Sequence, residues 1–341
     1  MFGLKHVLEN FDKLRLEVYD KYDDAEIPSV SESLSYFSRC FFYLYKLIFK
    51  EKEIITFAAL HFICVCLGYY SFVALIDWIH DVGPSNEAFR TAGYQWAGYL
   101  LIIYVPICFI IITICLGILS SFMGAAYFLH KKYKESTIVR CLYIVLIRSW
   151  YIFLFCCINS CWKIGRIKNH IPLKMLRNVS ERKNSSYAAD RWMREAVYQA
   201  WKVASIGVFP ALIVGRSIKN SCKDSSEMLK THFNAVSKIE MAYSTLCWWI
   251  YISSYIFVPL FVSYIFPLIY SERALFQFFF PLMFASFFIQ VFLKPIYILS
   301  ACRIYLNYAN EKNIKIDLPK VSSFFEILIL FLIIGVVFLK L

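Results

Sequence analysis

The sequence predicts an all-α polytopic membrane protein, a transmembrane helical bundle with amphipathic helices at its N-terminus. Three observations carry that expectation. The 341 residues are 60% hydrophobic and 19% aromatic, against roughly 45–50% apolar in an ordinary globular domain. The apolar residues gather in runs of about 20 or more, the length a helix needs to cross ~30 Å of hydrocarbon. A buried helix of a soluble domain is usually shorter and keeps a polar stripe. The basic residues, which leave a net charge of +12, sit between those runs, where they orient the protein and meet anionic headgroups.

Residues 1–53 read as an amphipathic cytoplasmic or interfacial region ahead of a transmembrane helical domain over 54–341. Leu4, Val7, Leu8, Phe11, Leu14 and Val18 recur at helical spacing. The acidic stretch from Asp20 to Glu26 and then Pro28 end that pattern. A second helix starts at a capping box, Ser29 to Glu32. It carries Leu34, Phe37, Phe41, Leu44 and Ile48 on one stripe, and its many Phe and Tyr suit the headgroup layer. The region is too polar for a cleavable signal peptide, so the first span is expected to act as its own signal.

Five spans follow from length and composition, over about 54–79, 98–128, 243–270, 274–305 and 321–341. A turn, Gly83-Pro84-Ser85-Asn86, and Arg90 separate the first two. Only Ser271-Glu272-Arg273 separates the third from the fourth, which predicts a tight helical hairpin. The last begins at a capping box, Ser323 to Glu326. Two further segments are ambiguous. Residues 137–162 are apolar but carry Arg140, Arg148 and Asn159 near one face; residues 196–215 are short, contain Lys202 and have Pro210 in mid-run. A basic loop, 163–195, lies between them. After them comes an amphipathic helix over 218–240, with Cys222, Leu229, Phe233 and Val236 on one face and Lys219, Lys223, Lys230 and Lys238 away from it. That helix is expected at the membrane surface.

Charge decides between topologies. With the N-terminus cytoplasmic and five helices crossing, the basic residues of 1–53, 129–140, 163–195, 216–242 and 307–320 fall inside. Only Arg90 and Arg273 remain in outer loops. If both ambiguous segments also spanned, making seven, the basic loop 163–195 would have to be translocated, against the positive-inside rule. The two segments are therefore expected to dip into the membrane or lie at its interface, entering and leaving on the cytoplasmic side. A dipping hairpin must be packed inside the bundle, because backbone in the bilayer needs protein or water around it.

Within the bundle, Arg148, Lys202, Ala204, Gly207, Pro210, Ala211, Gln290 and Lys294 are the candidate pathway or packing residues. Ala200, Ala204, Gly207, Ala211 and Gly215 form a small-residue face, which serves either a narrow path or close helix packing; packing is the favoured reading. Bulk on that face should do harm, whereas Val203 and Val208 on the other face should accept Leu. Gly117, Ser121 and Ala125 form a similar face on the second span, and the two faces are candidate partners. Arg148 is a charge in an apolar run, which needs a cavity, a partner or the interface; Lys202 is the same case, with snorkelling to the surface as the plain alternative. Gln290 and Lys294 lie one turn apart beside Pro295, an arrangement that suits an anion, while Lys294 alone would reach the inner interface. His61 reads as a packed, hydrogen-bonded histidine.

Several chemistries find no support. No zinc-type spacing joins the 12 cysteines to each other or to histidine, and they read as small packed hydrophobes. There is no G-x-S-x-G, H-E-x-x-H or phosphate-binding glycine loop. No catalytic residue, cofactor or metal is expected. Nucleic acid is not expected either, because no soluble basic domain is present. The expected partners are the lipid bilayer with its anionic headgroups and either a membrane protein or a second copy of this chain.

The central run from Ala200 to Leu212, with Trp201 and Pro210, resembles the short Trp- and Pro-containing segment of an uncharacterised family of prokaryotic polytopic membrane proteins with a domain of unknown function. Lys46–Leu60, basic and then apolar, and Tyr127–Arg148, a polar turn and an amphipathic helix, are similar to it as well, so the resemblance extends over about 38–310. It departs where the family usually has Gly-Pro, since Gly215-Arg216-Ser217 stands here. The resemblance implies an all-helical bundle in the inner membrane and no activity. The leading reading is a non-enzymatic membrane protein with a solute or ion pathway around its central hairpin, in which basic groups near half-helices would favour an anionic solute. The competing reading is a membrane-embedded binding, scaffold or immunity-type protein acting through a protein partner.

Overall fold

The computed structural model describes residues 29–82, 95–134, 136–170, 202–265 and 274–319, and all regular structure among them is helical. The elements are α1 (Val30–Lys50), α2 (Lys52–Val82), α3 (Gln95–Tyr133), α4 (Ile138–Ile147), α5 (Ser149–His170), α6 (Lys202–Ile213), α7 (Ile218–Ile265), α8 (Ala274–Phe288) and α9 (Lys294–Glu311). A π-helical turn, Ile289–Leu293, joins α8 to α9. Four segments, Lys52–Ile79, Ile102–Tyr133, Ile218–Val262 and Phe279–Glu311, are long and apolar enough to cross a membrane, and a fifth is added if α4 and α5 count as one. The first N-terminal helix, the turn at 83–86, most of the basic loop, Ala200, Trp201, the hairpin at 271–273 and the last span (321–341) lie outside the described residues.

Local chemistry accounts for the helix ends. Ser29 caps α1, its hydroxyl accepting from the Glu32 backbone N–H at 3.2 Å. Thr137 caps α4 in the same way through Arg140 N–H. The chain then turns by 75° between α4 and α5, so residues 137–162 form a bent pair rather than one straight helix. Arg148 stands at the bend with non-helical ψ. α6 ends in a glycine cap: Gly215 takes φ +99°, Gly215 N–H reaches Leu212 O and Arg216 N–H reaches Ala211 O. This is the Schellman pattern, and the positive φ favours glycine. A Gly-Pro at this place would remove the Arg216 N–H that closes the cap.

Packing corrects two expectations. The amphipathic stretch 218–240 does not present its apolar face to lipid, because Ile218, Cys222, Met228, Leu229 and Val236 are buried within the protein. It is also continuous with the apolar run that follows: α7 divides at His232, whose φ −118° and ψ 22° break the helix, rather than near 241. Both arms of α7 meet α9, through Asp224 with Tyr305, Glu227 with Tyr308, and Glu240 with Tyr297. Likewise the α1 stripe of Phe37, Leu44 and Ile48 is buried in the same core, and α1 presents Phe42, Tyr45 and Phe49 outward instead. An amphipathic pattern records an apolar face but not whether lipid or protein covers it.

The outer surface divides in two. Trp248, Trp249, Phe257, Phe261 and Tyr264 on α7, Leu67 and Tyr70 on α2, and Ile102 and Ile103 on α3 are exposed, as lipid-facing side chains are. The ends of α2, α3 and α9, by contrast, bury their side chains among α1, α4, α6 and the first arm of α7. Polar contacts tie that end together: a hydrogen bond between His130 and Glu51 at 2.6 Å, and ion pairs of Arg216 with Asp224 at 2.7 Å and Lys238 with Glu32 at 3.4 Å.

Candidate functional site

Between these two halves lies a cavity of about 330 Å³, walled by α3, α5, α6, α7, the π turn and α9. Its polar wall starts from α6. Lys202 is the first described residue of that helix, and its ammonium donates to Glu240 Oε1 at 2.6 Å and to Ser244 Oγ at 3.1 Å. Ser244 Oγ also donates to Glu240 Oε1, at 3.2 Å, and Tyr297 OH donates to Glu240 Oε2 at 2.7 Å. Glu240 is 6% exposed, so these donors replace the water it has lost.

The π turn sets the other side. Pro295 has no N–H to give to the carbonyl four residues back, and the Lys294 N–H reaches back five residues to Ile289 O. Such one-turn widenings are frequent at functional positions. Here Gln290 and Lys294 both line the cavity. Gln290 Oε1 accepts from His61 Nδ1 at 3.2 Å, and Ser120 Oγ, which donates to Leu116 O at 2.7 Å, lies 3.4 Å from His61 Nε2. His61 is fully buried and holds α2 to α3 and to the π turn. Lys294 Nζ lies 5.0 Å from the centre of the Tyr297 ring and 5.5 Å from that of Tyr243, and the two rings stack at 4.4 Å. Thr113 of α3, Asn159 of α5 and Ser205 of α6 add to the polar lining, while Leu116, Phe155, Ile206, Phe209 and Ile298 supply apolar wall.

The candidate residues thus separate into two groups. Lys202, Gln290 and Lys294 come together on the cavity. Ala204, Gly207, Pro210 and Ala211 do not; they pack α6 into the bundle. Ser225 Oγ donates to Ala204 O at 2.6 Å, and a Cβ built on Gly207 would lie 2.5 Å from Ser225 Oγ and 3.0 Å from its Cα. Pro210 and Ala211 are buried, their carbonyls accepting from Val214 and Arg216. Val203 and Val208 are buried too, so α6 has no free opposite face. Gly207 meets Ser225 and Met228 of α7, while Gly117 meets Cys156 of α5 and Gly124 of α3 meets Phe209 and Ile213 of α6. Arg148 stands apart from the cavity, its guanidinium against Gly215.

Sequence reasoning missed Glu240, Tyr243 and Tyr297 as site residues. Glu240 closes an amphipathic helix, where a carboxylate looks solvated, and the tyrosines are two among 24. One signal was present: Glu240 and Ser244 share a helical face at the edge of an apolar run.

All twelve cysteines are free thiols, and no group of three or more His, Cys, Asp or Glu able to hold a metal ion occurs among the described residues. Helix length, hydropathy and an internal polar cavity together define a candidate multi-pass membrane protein of the all-helical class. Compared with protein-family models, with curated proteins and with solved structures, the chain finds no match.

Proposed function

We propose that this is a non-enzymatic, multi-pass protein of a cell's inner membrane, with a cytoplasmic N-terminus, whose cavity admits a small polar solute as part of a pathway. The observation that carries the reading is the cavity itself: two lysines, a glutamate and amide side chains are gathered inside an apolar bundle. Intramembrane ionisable groups are costly and mark solute sites by default, and a volume of about 330 Å³ falls in the range of small-molecule pockets, roughly 300–1,000 Å³. α5 and α6 lie side by side in the wall of this cavity. Arg148 at the start of α5 lies against Gly215 at the end of α6, and Asn159 and Lys202, further along each, share the cavity. The resemblance to uncharacterised prokaryotic membrane proteins belongs to the same proposal and adds no activity.

The test uses the full-length protein in liposomes. In Ser205→Cys, residue 205 should react with methyl methanethiosulfonate, located by peptide mass, while the packed Cys222 and Cys302 stay unmodified. Flux of small solutes should then fall in the modified protein. An unreactive residue 205 would defeat the cavity reading. A reactive cavity without flux, together with stable co-purification of a second protein, would favour the scaffold reading.

A further inference from the structure

We infer that the solute is a small carboxylate monoanion, with its charge at Lys294 and its apolar body against Phe155, Phe209 and Ile298. The inference rests on the cavity reading above and adds the ligand's chemical class. Charge is the first ground. Lys202, Lys294 and Glu240 are the charged residues on the cavity among those described, which leaves a net single positive charge. Glu240 is already engaged: Lys202, Ser244 and Tyr297 all donate to it. Lys294 has no carboxylate within ion-pair distance among the described residues; Glu240 acts on it from further off, and its ammonium lies over the faces of Tyr243 and Tyr297. Ring faces attract a cation but use none of its three N–H donors.

The second ground is an independent surplus of donors. Because Gln290 Oε1 is taken by His61 Nδ1, its amide N–H₂ has no partner among the described residues, one turn from Lys294 on the same cavity. Unused donors beside an ammonium with no ion-pair partner of its own match an acceptor-only group, and a carboxylate is one. A cation would meet the wrong charge, and a dianion would leave one charge of its own uncompensated. Leu116, Phe155, Ile206, Phe209 and Ile298 also line the cavity and call for a hydrocarbon portion.

The experiment follows modification of Ser205→Cys by methyl methanethiosulfonate in the full-length protein, with sodium butyrate, sodium laurate or tetramethylammonium chloride added at equal ionic strength. Butyrate at about ten times its Kd should slow the reaction roughly tenfold by mass action, and tetramethylammonium should leave it unchanged. Protection by butyrate identifies an acid from water, and protection by laurate alone one from the bilayer; either supports the inference. Lys294→Met should abolish protection, and Lys294→Arg, which keeps the charge, should retain it. If Lys294→Met does not fold, the arginine variant and the contrast between butyrate and tetramethylammonium decide. Rapid modification that neither acid slows, or protection that survives Lys294→Met, overturns the carboxylate and leaves the cavity standing. No modification of residue 205 in any condition removes both.

Discussion

A carboxylate taken out of water needs its lone pairs filled, and Glu240 fills them from Lys202, Ser244 and Tyr297. Removing it leaves two ammonium groups facing one cavity. Breaking a buried pair by deleting one partner costs about 3–5 kcal/mol, so Glu240→Ala should melt well below the parent in detergent, followed by tryptophan fluorescence. Tyr297→Phe keeps the ring and loses one hydrogen bond to a charged group, a loss of ~1.5–3 kcal/mol. Equal melting temperatures for parent and both variants would show that the network does not hold α7 to α9. At this scale the sequence was partly legible. Lys202, Gln290 and Lys294 stood out because charge and amide are anomalous in apolar runs. Glu240 did not, because its partner Lys202 lies 38 positions away and no local period links them.

The short central helix α6 shows what an element's pattern can and cannot say. Its small residues recur on one side and do face a neighbour at close range: Gly207 against Ser225 and Met228. Overpacking there costs roughly 1–3 kcal/mol, so Gly207→Ala should already lower the melting temperature, and Gly207→Leu should lower folded yield. Val203 and Val208, buried at 2% and 0%, should resist Leu as well, whereas Ser205→Ala on the cavity side should be nearly neutral. Tolerance of Gly207→Leu would contradict the close approach of α6 and α7. The end of the helix gives a second test. Gly215→Ala meets both a positive φ and the Arg148 guanidinium, whose terminal nitrogen would lie 2.5 Å from the new Cβ. Left-handed backbone alone costs about 1–2 kcal/mol in a residue with a side chain, and circular-dichroism melting of this variant should fall by at least that equivalent.

For the molecule as a whole, sidedness and thiol chemistry are the accessible observables. Asn86 and Ser185 lie outside the described residues, and the topology proposed above has them on opposite faces. A cysteine at Asn86 should react with an impermeant maleimide added to intact cells, and one at Ser185 should not. Labelling at Ser185 would restore seven spans. Since all twelve cysteines are free, reducing and non-reducing gels should show one mobility. Cys40 offers a sharper measure: burial beneath α1 pushes its thiol up, and the nearby Arg303 offsets only part of that. The thiolate is the reactive form, so iodoacetamide at pH 8 should modify Cys40 slowly until denaturant is added, as followed by peptide mass. Rapid modification of the folded protein would mean that α1 is not docked.

What the sequence determined by itself was the helical class, four of the long apolar runs and the Ser29 cap, because apolar run length and capping residues act within one stretch of chain. It also marked Lys202 and Lys294, two of the positions where charge enters the bundle. Tertiary structure alone decided which of those charges meet. The 75° turn at Arg148, the break at His232 and the π turn before Pro295 aim separate helices at one cavity. None of them follows from hydropathy, since a helix and its bent counterpart bury the same residues. The cover over the amphipathic faces of α1 and α7 was equally undetermined, because lipid tails and a protein interior are alike to an apolar side chain. Only the packing of distant elements distinguishes them.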